Sequence, residues 1–485
     1  MQGKGDFMDE KAQASQIQET THDVAFYKSI INKVSPSFCL AKWYQVTVHL
    51  QNGHTHSCHH PATHRVDPRE LVENSSALHN TSMKKVQRHK MLNGVRPSEC
   101  DYCWRIEDAN PDNVSDRIFK SSENWAWPNL EEAKSLPWHH DFNPRYVEVS
   151  FGHACNFKCL YCAPHISSSI MAEFEKEGHF VESPEFSIKE LYINGKYPIP
   201  KDSFNPYVEA FWRWWPDLIK NLEHFRITGG EPLINPNTFK FLDFIVNNPM
   251  PNLHFAINSN LGIPDVQFNK FISLMQKILE TNSIKGFEFY TSVDTHGEDA
   301  EYIRTGLNYE DYIKNVRRYL DELPTNTKLI FMCTYNALSV PNFRKFLQEV
   351  IDLKSAYRTP AGDPRVLLDM PYLRDPSYLS LAVLTKDFAK QIEEDLEFMK
   401  DHTYQRLQNN QWCFTEHEIA KMERVLNWFK SLQDNEKTRL LRKRFYTFTK
   451  ECDRRRGTSF LKTFPSMEPF YKICEDIYNN DNLDY

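Results

Sequence analysis

From Arg145 to about Leu373, short strand-like runs alternate with amphipathic stretches of helix length, and no other feature constrains the fold so strongly. Parallel strands need a crossover between them, so this alternation predicts βα units around a parallel sheet. The strand candidates are Tyr146–Phe151, Phe225–Thr228, Leu253–Ile257, Phe287–Val293, Leu329–Thr334 and Val366–Leu368. Six strands are too few for a closed eight-stranded barrel, and the expected core is an α/β partial (β/α)6 barrel. A long insertion, Ala163 to His224, separates the first two candidates and carries Phe211, Trp212, Trp214 and Trp215. Such an aromatic run reads as a packed helix face rather than a substrate platform.

The flanking segments differ in pattern. Residues 1–25 are polar, rich in Gln, Lys and Glu, and read as a disordered N-terminal segment. Residues 26–138 combine short apolar runs, many His and four Cys, which suggests a small metal-stapled domain ahead of a barrel over 139–375. Residues 376–485 read as a helical C-terminal extension, with apolar positions at helix spacing through Leu384–Met399, Ile419–Leu432 and Leu440–Phe448. Its basic stretches, Arg442 to Arg444 and Arg454 to Arg456, are expected on solvated helix faces.

The formal charge of −7 is spread along the chain, which argues against a general nucleic-acid binder relying on phosphate neutralisation. No stretch approaches the roughly 20 apolar residues of a membrane span, and the first residues lack the apolar run of a secretory leader. The expected compartment is the cytoplasm, where clustered cysteines bind metal more often than they form disulfides. Of the 11 cysteines, Cys333, Cys413, Cys452 and Cys474 stand singly and read as buried or incidental thiols. The other seven fall into two sets.

The segment VEVSFGHACNFKCLYC places Cys155, Cys159 and Cys162 directly after a strand candidate, with C-x3-C-x2-C spacing. Three thiolates on so short a loop suit one face of a [4Fe–4S] cube, leaving the fourth iron free of protein ligands. The alternative is structural zinc, with His153 or His165 completing four ligands. The next strand candidate runs into Thr228-Gly229-Gly230-Glu231-Pro232. There two glycines permit close approach of the backbone, and carbonyls with a carboxylate offer acceptors to an ammonium group.

This loop and the Gly-Gly-Glu-Pro segment resemble those of the radical S-adenosylmethionine (SAM) superfamily, over about Arg145 to Leu373. The resemblance implies a [4Fe–4S] cluster on Cys155, Cys159 and Cys162 whose open iron is chelated by SAM. It implies an enzyme that cleaves SAM to a 5′-deoxyadenosyl radical, which removes hydrogen from a substrate, with flavodoxin or ferredoxin as electron donor. Tyr161 would lie near the adenine, and Gly229, Gly230, Glu231 and Pro232 would hold the methionyl amine. Asn258 matches the family's third strand end, and Ser292 with Asp294 would reach ribose hydroxyls. Arg304 would pair with the SAM carboxylate, and Thr334 and Asn336 would border the adenine. For Arg304 and Asn336 a helix-surface charge and a turn-former are equal alternatives.

Upstream, Cys39 and Cys58 form C-x13-G-x4-C around Gly53, and Cys100 with Cys103 forms C-x2-C. Val46, Val48 and Leu50 alternate before Asn52-Gly53, as in a hairpin. The arrangement resembles the start of the SPASM and twitch cluster domains of radical SAM enzymes, here preceding the core rather than following it. It implies a second [4Fe–4S] cluster, with zinc, or ligation mixed with His54, His56, His59 or His60, as alternatives. Twitch and SPASM enzymes often modify peptides or proteins, so a peptide is the first substrate class and a small molecule or nucleotide the second. The rival from another class is a non-catalytic zinc or iron–sulfur protein, for which an amine cradle has no use.

Overall fold

The computed structural model describes residues 24–110, 112–403 and 413–481. The expected disordered segment therefore lies almost wholly outside the described residues. Two compact units divide the chain, residues 1–150 with 199–226 and residues 151–198 with 227–485. This differs from a division at 138 and 375 for physical reasons. Strand β4, Tyr146–Ser150, pairs in parallel with β1, Gln45–His49, and so joins the first unit. The C-terminal helices pack into the second.

In the first unit β1 turns through Leu50 to Gly53 into β2, His54–His56, and β2 pairs with β3, His64–Arg65, to give the order β4-β1-β2-β3. Gly53 has φ +76, and a Cβ there would stand 2.0 Å from the Tyr207 ring, so the expected turn is also a packing requirement. Tyr207 opens the helix Pro206–Leu218, in which Phe211, Trp214 and Trp215 are buried. The aromatic run is thus a packed helix face, as its spacing predicts. A separate apolar core gathers Phe38, Trp43, Trp104, Ile118, Trp125 and Phe142.

The second unit carries the parallel sheet. After the two-residue β5, Lys158–Cys159, and β6, His224–Thr228, come β7, Met250–Ser259, β8, Ile284–Ser292, and the two-residue β9, Arg304–Thr305. Strands β10, Lys328–Met332, and β11, Val366–Asp369, complete the set, and the sheet order is β11-β10-β8-β7-β6. Strands β7, β8, β10 and β11 pair in parallel. Leu253, Phe255 and Ile257 alternate inward on β7. Phe271, on Asp265–Glu280, and Tyr319, on Tyr309–Glu322, pack on Phe289 of β8. These are the βα units of a partial barrel. Cys333, Cys413, Cys452 and Cys474 are all buried. No helix among the described residues is long and apolar enough to cross a membrane.

The helical extension corrects one expectation. Arg442, Arg455 and Arg456 are not on solvated faces, because their guanidinium groups are 7%, 3% and 2% exposed and are used internally. Arg442 donates to the Val383 carbonyl and to Asp434. A second internal ion pair closes the sheet end. Lys354 Nζ lies 2.7 Å from both oxygens of Glu418, whose Oε1 also accepts from the Leu368 backbone at 2.7 Å. Glu418 in turn completes a capping box with Thr415 at the start of Glu416–Ser431.

Removing the Lys354 charge leaves Glu418 buried without its cation. Lys354→Met is expected to lower the unfolding free energy by about 3–5 kcal/mol, measured by denaturant titration of the purified chain.

Candidate active site

The first cysteine set sits on the loop after β4, and each thiol is half-buried. Short-range polar contacts shape this loop. Ser168 Oγ accepts from the Cys155 N–H at 3.0 Å, and Ser169 Oγ donates to the Cys155 carbonyl at 2.7 Å. Both serines begin the helix Ser168–Glu177, whose N-cap Ser167 donates to the Phe157 carbonyl at 2.9 Å. Cys159 lies on β5, which pairs antiparallel with β9, setting Cys159 opposite Arg304.

The Gly229–Pro232 segment, at the end of β6, lies against the start of this loop. Glu231 N–H donates to the Ala154 carbonyl at 2.7 Å, and Gly230 N–H to the Gly152 carbonyl at 3.3 Å. A Cβ on Gly230 would stand 2.2 Å from the Ala154 carbonyl oxygen, so only glycine permits this approach. The Glu231 carboxylate is 2% exposed and is engaged with the next strand end. Oε1 accepts from Leu233 N–H at 2.9 Å and Ser259 Oγ at 2.8 Å, and Oε2 from Asn260 N–H at 2.6 Å. Burial pushes its pKa up to about 7, against these hydrogen bonds. Asn260 continues the chain of contacts, with Nδ2 3.0 Å from Asn156 Oδ1 and 3.9 Å from Cys155 Sγ.

A second group forms around Cys159. Arg304 holds Asp294 through two contacts, Nε to Oδ2 at 2.8 Å and Nη2 to Oδ1 at 3.0 Å. Tyr161 Oη donates to the same carboxylate at 3.0–3.1 Å, and the Thr334 N–H adds a contact at 3.0 Å. Arg304 Nη1 lies 3.7 Å from Cys159 Sγ. Thus Tyr161, Asp294 and Arg304, each expected to face a ligand, are bonded to one another beside the cysteine loop. Asn336 is a turn-former here, since its amide donates to the Thr334 carbonyl and accepts from Leu338 N–H. Asn258 and Ser292 are half-buried near the ends of β7 and β8.

Arg456, expected on a solvated helix face, has a role that sequence patterns did not signal. It donates to Glu173 at 3.0 and 3.2 Å, to the Lys158 carbonyl at 2.9 Å and to Thr305 Oγ1 at 3.2 Å. It therefore pins both strands of the β5–β9 ladder that carries Cys159. The partners are up to 298 positions away, and only the fold brings them together.

In the first unit, Cys39, Cys58, Cys100 and Cys103 all line one small, partly open cavity, with Lys42 and Arg117. Lys42 pairs with Glu99, and Arg117 with Glu107 at 2.9 Å. Burial pushes Cys58 and Cys103 up to about 12 and Cys100 to about 11. In the first set burial likewise raises all three thiols, Cys155 to about 11. Buried thiols of this kind become thiolates when a cation compensates their charge.

Sulfur spacing bears on which metal centre fits. Among the described residues, three metal-ligating atoms lie within 4.8 Å of one another only in His59, His60 and Asp116. No three of the cysteine sulfurs meet that limit. Four thiolates at about 2.3 Å from one zinc would be roughly 3.8 Å apart, closer than any three of the cysteine sulfurs stand in the metal-free chain.

Residues 149–347 match the family model described as the Radical SAM superfamily. A stretch of 209 residues, 43% of the chain, is 24% identical to a GTP 3′,8-cyclase of Campylobacter lari and covers 50% of that protein. The chain thus spans about half the length of this curated relative.

Arg456→Ala removes the donor to the Lys158 carbonyl and leaves the buried Glu173 with Lys158 as its remaining cation. The expected result is a loss of about 1.5–3 kcal/mol in unfolding free energy and faster alkylation of Cys159 in the metal-free chain. Arg456→Lys, which keeps the charge but not the fork, should fall between. Mass-spectrometric alkylation rates with a denaturation series check both.

Proposed function

With a radical SAM domain over residues 149–347 and an enzyme of that class as premise, we propose that the chain reductively cleaves SAM and abstracts hydrogen from a substrate. Cys155, Cys159 and Cys162 would hold the SAM-binding [4Fe–4S] cluster. The cluster with SAM supplies one-electron cleavage to a 5′-deoxyadenosyl radical. The observation that carries the reading is the cysteine loop lying on Gly229–Glu231, at a spacing only glycine at 230 allows.

The chain's own residues then have distinct jobs. Gly229, Gly230 and Pro232 shape the backbone beside the loop and present carbonyls to an ammonium group. Glu231, held by Ser259 and Asn260, fixes the ends of β6 and β7 in register with that loop. Asn258 and Ser292 contribute polar groups near strand ends. Tyr161, Asp294 and Arg304 brace the Cys159 side, so their contribution to SAM binding runs through position as much as contact. Asn336 orders the turn after β10. Flavodoxin or ferredoxin is the proposed electron donor.

Cys39, Cys58, Cys100 and Cys103 would hold an auxiliary [4Fe–4S] cluster, the twitch-like reading of residues 26–138. Their shared cavity supports it, and Lys42 and Arg117 offset the negative charge of a thiolate-ligated cluster. A peptide or protein is the proposed substrate class, on the resemblance of this cysteine pattern to twitch and SPASM domains. A nucleotide is the second reading, favoured by the similarity to a GTP 3′,8-cyclase.

Replacing Cys155, Cys159 and Cys162 together by Ala should abolish 5′-deoxyadenosine formation under dithionite, read by chromatography. Undiminished formation would overturn the central reading. The reconstituted chain should hold about eight irons, falling to about four in Cys100→Ala, Cys103→Ala while SAM cleavage at the first site persists. Four irons plus one zinc in the unaltered chain, the zinc lost in Cys100→Ala, Cys103→Ala, would assign zinc to the second set.

A further inference from the structure

One group of metal-ligating side chains belongs to neither cysteine set. His60 Nε2 lies 2.6 Å from Asp116 Oδ2, and His59 Nε2 lies 3.4 Å from the same oxygen. The three ligand atoms are all within 4.8 Å of one another. Zinc holds imidazole nitrogen at about 2.0–2.1 Å and carboxylate oxygen at about 2.0–2.2 Å, so tetrahedral ligand atoms stand roughly 3.3–3.5 Å apart. The His59–Asp116 separation already has that value, and the His60–Asp116 hydrogen bond needs to lengthen by about 0.8 Å to admit the ion.

Rigid supports hold the group. The His60 ring is stacked on Tyr102, with centroids 3.6 Å apart and planes 12° from parallel. His59 follows in sequence with its ring 4.2 Å from that of His60. Asp116 begins the helix Asp116–Ser122, and its position is fixed by Arg117, which is buried against Glu107. Side-chain exposures of 62%, 15% and 32% for His59, His60 and Asp116 leave the group open to solvent on one side.

We propose that His59, His60 and Asp116 bind one divalent transition-metal ion, zinc by preference, separate from the sulfur-ligated centre. Two neutral imidazoles and one carboxylate are the donors zinc takes where it keeps a fourth position for water or an anionic ligand. The neighbouring thiolates are soft donors outside this group of mutually close ligand atoms, so the two sites select different metals by donor type. His60 and Asp116 also line the four-cysteine cavity, which sets the ion beside that centre. A carboxylate or phosphate group of a substrate is the chemical class such an open position would take. The site stands on its own geometry and does not depend on SAM cleavage.

The test uses the full chain with its iron and sulfide reconstituted anaerobically, titrated with Zn²⁺ against a chromophoric chelator. One zinc per chain is expected. His59→Ala and Asp116→Ala should each weaken it by more than the 10–100-fold typical of losing only an outer-shell partner, with iron content unchanged as the check on folding. His89→Ala, at an exposed histidine outside the group, should leave zinc affinity at its original value, and so should Cys100→Ala, Cys103→Ala. Absence of zinc binding in the unaltered chain, or affinity unchanged from the unaltered chain in His59→Ala and Asp116→Ala, overturns the proposal. Zinc lost in the cysteine variant but kept in Asp116→Ala also overturns it, by assigning the ion to the thiolates.

Discussion

The contact between Gly230 and the Ala154 carbonyl sets the distance on which the candidate site depends. It joins the end of β6 to the start of the cysteine loop at backbone level, with no side chain between them. Glu231 extends the same junction sideways. Its buried carboxylate accepts from the β7 end, and Asn260 returns from there to Asn156 in the loop. A closed circuit of hydrogen bonds thus links three segments that are far apart in sequence. Its backbone members, at Ala154, Glu231 and Asn260, change position little with side-chain motion, and this is the rigidity a site needs to hold reacting groups at fixed distance.

The Cys159 side is organised by charge. Asp294 is fully buried and bonded by Arg304, Tyr161 and a backbone N–H. Arg456 closes over the opposite edge of the same two-residue ladder, held by Glu173. Two guanidinium groups therefore flank one thiol. Burial raises that thiol's pKa, and both arginines oppose the rise. The second cysteine set has an analogous arrangement with Lys42 and Arg117, so each group of buried sulfurs is supplied with cations by the fold itself.

Much of this architecture was legible because the sheet follows a simple rule. Strands β4, β6, β7, β8, β10 and β11 overlap the six apolar runs read from the sequence, since parallel strands covered by helices must be apolar and short. The hairpin at Asn52-Gly53 was equally visible from local alternation. Contacts between distant residues were not. Arg304 and Asp294 each suggested a ligand partner, whereas folding pairs them with one another. Asn336 matched a turn-former because a side-chain amide close to its own backbone finds partners there first. The arginines of the C-terminal helices looked solvated, since periodicity in a charged helix says nothing of an acidic residue waiting nearly 300 positions upstream.

That last distance has a consequence for how the chain is made. The Lys158 carbonyl finds its Arg456 donor only after 298 further residues have been added. At about 5–20 residues per second, that carbonyl waits roughly 15–60 s for its outer clamp. The loop that gathers three of the thiols is therefore complete in sequence well before it is complete in structure.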